Sequence, residues 1–140
     1  MNLIYTTDLQ NENDLLEFYQ KIGWNNFLKL STMQLTTTMK QSTYVVYVYS
    51  NDDLVGTGRI ISDGVIHAYI CGLGVLPDYR NLKIGTGIMK MLKEFCQKQN
   101  LRVKLTCEES LIPYYTKLGF SKAGVEMTCL ERGESYDNRN

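Results

Sequence analysis

Apolar positions along this chain recur with two different periods, and the places where the period changes divide it into elements. Residues 2–6 read as a short first strand. Leu15, Phe18, Tyr19 and Ile22 then recur at helical spacing, which predicts a helix opened by Asn11 or Asn13 and stopped by Gly23. A second helix is expected over about 27–40, with the Thr36-Thr37-Thr38 run its weakest part. The period then falls to two. The β-branched and aromatic run 43–50 and the run 54–62 flank an Asn51-Asp52-Asp53 turn, and Asp63-Gly64 leads into a third run, 65–75. Short turns between them predict an antiparallel meander. After Ile84 the spacing of Ile88, Met91, Leu92 and Phe95 is helical again, giving a helix over about 85–99 that breaks at Asn100. A strand at 101–107 follows, then a short helix capped by Ser110, reaching Leu118 and stopped by Gly119. The run 120–130 reads as a final strand or hairpin.

Strand, helix, strand over 65–107 requires a parallel pairing with a right-handed crossover. The fold class is therefore α/β (α+β): a mixed, mostly antiparallel twisted sheet with helices on both faces and one central parallel strand pair. At 140 residues the chain is sized for one domain, placed at 1–131, with a polar tail at 132–140. Apolar content of 44% and charged content of 21% fit an ordinary globular protein rather than a disordered one. Fifteen basic residues balance fifteen acidic ones, which argues against nucleic acid or an anionic membrane as partner. The longest apolar runs are strand-sized, and the first ten residues lack the form of a signal peptide. Cys71, Cys96, Cys107 and Cys129 are widely spaced without CxxC, which predicts buried free thiols in a reducing, cytoplasmic setting. A single histidine argues against a metal site.

Candidate chemistry concentrates in residues 71–92. A strand passes through Pro77-Asp78-Tyr79-Arg80 and enters a helix at Gly85-Thr86-Gly87. The first amides of a helix have no intrahelical acceptor and the macrodipole is positive there, so the stretch reads as an anion site with phosphate as its natural ligand. A P-loop is excluded because Gly-x4-Gly-Lys-Ser/Thr is absent. A dinucleotide fold would explain Glu108 about twenty residues on, but Lys90 holds the third glycine position and only one strand-helix-strand unit exists. The glycines alone are also consistent with a tight strand-to-helix turn. Gly72-Leu73-Gly74 indicates a bulge or a close backbone approach.

The segment Val75, Pro77, Tyr79, Arg80, Ile84, Gly85 and Gly87 resembles the cofactor motif of the GNAT superfamily, the acetyl-CoA-dependent N-acetyltransferases. That motif runs hydrophobic-x-Pro-x-aromatic-Arg/Gln, three residues, then hydrophobic-Gly-x-Gly/Ala. Lys83 departs from it, standing where the family usually has glycine. The segment 109–120 resembles the other family hallmark, ending in Tyr115-Thr116-Lys117-Leu118-Gly119-Phe120. The resemblance covers roughly 43–130 in order of elements. It implies acetyl transfer from acetyl-CoA to a primary amine of a small molecule, by direct attack in a ternary complex and without a metal. Leu73, Gly74 and Val75 would meet the pantetheine arm and thioester. Arg80, Asn81, Leu82, Lys83, Ile84, Gly85, Thr86 and Gly87 would hold the pyrophosphate.

By the same resemblance Tyr115 is the general acid for the CoA thiolate, with packing between helix and sheet as its bland alternative. Glu108 stands where the family commonly has asparagine and is a candidate base; His67 is another, with a packed neutral histidine as its alternative. Asp63 is read as turn chemistry. Cys71 and Cys107 leave a covalent route formally open, but no histidine partner is evident. Trp24 and Phe27 fall where the family often builds its acceptor pocket, and a hydrophobic staple also explains them. An acyl-CoA-binding regulatory module without turnover, and a protein N-terminal or lysine acetyltransferase, remain open beside the small-molecule enzyme. Family members often form homodimers.

Overall fold

Every strand expected up to residue 105 forms. In the computed structural model, which describes residues 2–130 apart from the Phe27 side chain, Leu3–Thr6 (β1), Tyr44–Ser50 (β2), Asp53–Ser62 (β3), His67–Val75 (β4) and Arg102–Leu105 (β5) make one sheet. Its order is β1-β2-β3-β4-β5. The first three pairings are antiparallel and β4–β5 is parallel. Helices span Asn13–Ile22 (α1), Asn25–Leu28 (α2), Thr32–Gln41 (α3), Ile84–Lys98 (α4) and Ile112–Lys117 (α5). The expected tail, 132–140, lies outside the described residues. Backbone proximity divides the chain into two units, Met1–Leu105 and Thr106–Asn140.

In the first unit the sheet is covered on both faces, which is why β2 is buried from Val45 to Ser50 and reads as a continuous apolar run. α4 lies on one face, where a Cβ added at Gly58 would meet Ile88 Cγ2 at 2.8 Å and Leu92 Cδ1 at 3.2 Å. On the opposite face a Cβ at Gly74 would meet Ile22 Cδ1 of α1 at 3.2 Å. α1 buries Leu15, Phe18 and Tyr19, as its periodicity predicts. Asn11 Oδ1 accepts from the Asn13 amide at 2.9 Å, and Gly23 ends the helix at φ 83°.

The single helix expected over 27–40 is instead two. Lys29 takes a left-handed backbone (φ 51°) after α2, and the Asn25 side chain clasps Leu30 through both its amide and its carbonyl, at 2.7 and 2.8 Å. Ser31 and Gln34 then form a reciprocal capping box that starts α3 afresh. The Ser-x-x-Gln signature was present in the sequence.

In the second unit a 3₁₀ turn over Glu109–Leu111 leads into α5, so Ser110 sits inside the turn rather than capping a helix. The strand or hairpin expected over 120–130 is absent: residues 121–130 have no regular structure and are exposed, Val125 by 82% and Met127 by 89%. Alternating apolar positions hold a strand only where a partner strand supplies hydrogen bonds and a face to bury, and none pairs with this run among the described residues. The thiols also divide. Cys96 is buried, Cys71 and Cys107 are half-buried and Cys129 is exposed, all four free.

Candidate functional site: a split strand leading into a helix N-terminus

The site begins where β4 loses a neighbour. Its register with β5 ends at Ile70↔Leu105, so among the described residues Cys71–Val75 have no strand on that side while still pairing with β3. Between Thr57↔Gly74 and Arg59↔Cys71 the strand carries an extra residue. Gly72 makes this bulge with φ 68°, a left-handed backbone that glycine adopts without a Cβ penalty. Beyond the bulge, the Leu76 amide donates to Val55 O at 2.9 Å. By strand alternation that turns Gly74 toward β3 and the backbone of Val75 toward the open side. Val75 O is met there by Arg80 Nε at 3.2 Å, which ties the following turn to the end of the strand.

Pro77–Tyr79 form one 3₁₀ turn, after which Asn81 (φ 66°) and Lys83 (φ 63°) are both left-handed. Lys83 thus takes a left-handed conformation that glycine adopts without a Cβ penalty. It is the N-cap residue of α4 and no side chain caps the helix. Gly87 N–H donates to Lys83 O at 3.0 Å, whereas the amides of Ile84 and Gly85 precede the first intrahelical bond. The Ile84 side chain is 1% exposed and anchors the turn in the core, while Arg80, Asn81, Leu82 and Lys83 are exposed around it. Tyr5 of β1 also sits here: a Cβ on Gly87 would fall 2.7 Å from its hydroxyl oxygen. Sequence reasoning missed Tyr5, because nothing local places β1 beside residue 87. An uncapped helix start, a backbone that approaches closely and an exposed lysine suit a pyrophosphate.

The second unit carries the other two sequence-predicted residues. Tyr115, in α5, is half-buried, edge-on to Tyr114 with ring centroids 5.0 Å apart. Its carbonyl accepts from Leu118 and Phe120, which fixes the end of the helix. Burial chiefly, then Tyr114 and Cys107, push its phenol above the ordinary tyrosine value. The group is therefore protonated at neutral pH and able to donate. Glu108 is exposed at the start of the 3₁₀ turn. His67 is exposed on β4 rather than packed. The Asp63 carboxylate accepts from the amides of Val65, Ile66 and His67, which holds its pKa below the usual value and accounts for it as turn chemistry. Among the described residues no three His, Cys, Asp or Glu side chains cluster as metal ligands.

A cavity of about 270 Å³ opens on the α1 face of the first unit, lined by Tyr19, Trp24, Leu28, Leu35, Met39 and Arg59, among others. Trp24 is 49% exposed and stacks on Tyr19, with centroids 5.5 Å apart and planes 20° apart. Trp24 thus packs on a ring of α1 and also forms the lip of a pocket.

Comparison with known proteins agrees with this geometry. An uncharacterized N-acetyltransferase of Porphyra purpurea is 27% identical over 126 residues, covering 85% of this chain and 71% of that protein. An uncharacterized acetyltransferase of Streptococcus pyogenes is 27% identical over 93 residues, 66% of this chain and 64% of the other. Among solved structures, a GNAT family acetyltransferase of Streptococcus pneumoniae superposes with a TM-score of 0.75 at 23% identity, over 94% of this chain and 98% of that one. Glucosamine-6-phosphate N-acetyltransferase of Arabidopsis thaliana shares the fold at a TM-score of 0.70 and 13% identity, over 93% and 99%. The family model for the GNAT acetyltransferases matches residues 4–120, across the split strand, the glycine turn and the Tyr115 helix, and the chain belongs to that family.

Proposed function

We propose that this chain is a single N-acetyltransferase domain over 1–131 that moves an acetyl group from acetyl-CoA to the primary amine of a small molecule, by direct attack in a ternary complex. The observation that carries this reading is the continuity of Cys71–Val75, unpaired on its β5 side, with the uncapped start of α4. An extended pantetheine can add to a strand edge while its pyrophosphate meets helix amides. The amine nitrogen attacks the thioester carbonyl carbon and the C–N bond forms. The oxyanion is held by a backbone amide of β4 on its open side, with Val75 the candidate and Gly74 turned toward β3. The C–S bond then breaks, Tyr115 gives its proton to the sulfur, and the nitrogen loses one through Glu108 or water. Cys71 is assigned no step, because burial raises its thiol pKa despite the opposing charge of Arg59 and so disfavours the thiolate.

Thiol release from acetyl-CoA across polyamines, arylalkylamines, amino acids and peptides tests the reading. Tyr115→Phe should lower kcat about a hundredfold with CoA affinity unchanged. An undiminished rate would remove Tyr115 from the mechanism. Tight CoA binding without turnover of any amine would make the domain an acyl-CoA-binding module, and turnover of peptides alone would make it a protein acetyltransferase.

A further inference from the structure

The cavity on the α1 face has a charge at its floor that the described protein does not answer. Arg59 is half-buried on β3, and its Nε is buried without a hydrogen-bond partner. Its guanidinium runs beneath the β4 bulge, where a Cβ on Gly72 would meet Nη1. Among the described residues no carboxylate pairs with it, the ion pairs being Lys21–Glu17 and Lys40–Glu12. The titratable neighbours are Tyr19, Tyr47 and Cys71. Burial raises the pKa of all three, Tyr19 to about 12, so each faces Arg59 in its neutral form. The Tyr19 hydroxyl is itself buried without a partner in strict hydrogen-bond geometry, and the Arg59 guanidinium beside it, by its charge and a looser side-chain contact, offsets only part of the effect of burial. A cation and a phenol left this way are costly unless a ligand completes them.

Around that polar pair the walls are mostly apolar, formed by Leu28, Leu35 and Met39 with the Trp24–Tyr19 stack on one side, while Asn25 and Thr38 also line the cavity. The wall is also pre-formed, since the Asn25–Leu30 clasp and the Ser31–Gln34 box fix the turn that carries it. We infer that this cavity is the acceptor pocket and that it selects an apolar amine carrying one carboxylate, an apolar or aromatic amino acid, whose carboxylate lies between Arg59 and Tyr19. Among the described residues Arg59 is the one cation lining the cavity, which matches a monoanion better than a phosphate. A volume of about 270 Å³ takes a small molecule. Arg59 pairs in register with Cys71, at the place where β4 opens, so a carboxylate held there leaves the α-amine beside the strand edge assigned to the thioester.

This assignment rests on the acetyltransferase reading for its chemistry, in which the α-amine gains the acetyl carbon as the C–S bond breaks and gives up one proton. Its test is separable. Trp24 is the single tryptophan of the chain and stands at the pocket lip, so its fluorescence reports occupancy without turnover. Titration with 3-phenylpropanoate, 3-phenylpropanol and 3-phenylpropylamine compares a carboxylate, a neutral and a cationic probe of one shape. The carboxylate should bind at least tenfold more tightly than either. Arg59→Met should weaken it roughly thirtyfold or more, Arg59→Lys should restore much of that, and Tyr19→Phe, which keeps the ring stack, should cost severalfold. In turnover, phenylalanine should surpass phenethylamine in kcat/KM, with CoA affinity unchanged in all three variants. Equal or better binding of the alcohol or the amine, binding of none of the three, or indifference to Arg59→Met overturns the assignment, and the wild-type comparison needs no variant to fold. Carboxylate binding with no amine acetylated would leave the pocket as assigned and remove the enzyme reading instead.

Discussion

Lys83→Gly separates two roles that one residue performs. Lys83 holds φ 63°, ψ 22°, a conformation that costs a residue with a Cβ about 1–2 kcal/mol. Glycine removes that cost but returns roughly 0.5–1 kcal/mol through its freer unfolded chain. The net is a gain of about 0.5 kcal/mol. For 140 residues, at about 2.1 cal/mol/K of unfolding entropy per residue, that raises Tm by about 2 °C. The ammonium acts in the other direction. A unit charge about 5 Å from a phosphate through solvent contributes about 0.8 kcal/mol, so its loss should weaken CoA binding about fourfold at low ionic strength. Near 0.15 M salt, where the screening length is about 8 Å, the factor should shrink to about twofold. Thermal melts and CoA titrations at two salt concentrations measure both, with Lys83→Ala as the comparison that removes the charge and keeps the strained backbone. The reasoning is refuted on the charge if Lys83→Gly binds CoA as tightly as the native chain at low salt, and on the backbone if its Tm falls.

Gly58→Ala forces a Cβ to within 2.8 Å of Ile88 Cγ2 in the seam between β3 and α4; overpacking of this kind costs about 1–3 kcal/mol, so urea unfolding should show that loss, and a neutral result would mean the seam yields. In alkali the folded-state pKa of Tyr19, about 12, lies above its value near 10 in the unfolded chain, so its contribution to stability is complete below pH 10 and is lost as pH rises toward 12. The loss is about 2–3 kcal/mol from this group, visible as unfolding coupled to tyrosinate absorbance; tyrosinate formation that runs ahead of unfolding contradicts it. Tyr115 is likewise raised, so kcat should hold up to pH 10 and decline only above it. A decline set below the ordinary tyrosine value would point to another acid.

The turn from β4 into α4 was legible because it is a local feature: its proline, glycines and helical periodicity lie within one stretch of the chain and constrain one another. The meander was legible for the same reason, as was α1 with its glycine stop. The break between α2 and α3 was available in Ser31 and Gln34 but outweighed by an apolar pattern that continues across it. The run 121–130 shows the opposite failure, an alternating pattern that has no partner strand among the described residues.

Sequence by itself therefore determined the order of the five strands and the glycine-bearing turn into α4, since these follow from spacing along the chain and from the conformations open to glycine and proline, and its motifs carried the resemblance to the family. Only the tertiary structure decided where β5 leaves β4, that Tyr5 rests on Gly87, and that Arg59, with no carboxylate partner among the described residues, lies beside Tyr19 at a mostly apolar cavity. Those facts join residues 35 positions apart (Ile70 and Leu105) to 82 apart (Tyr5 and Gly87). Whether a charge meets a counter-charge depends on the packing of α1, α3 and the sheet together, and no local pattern carries that information.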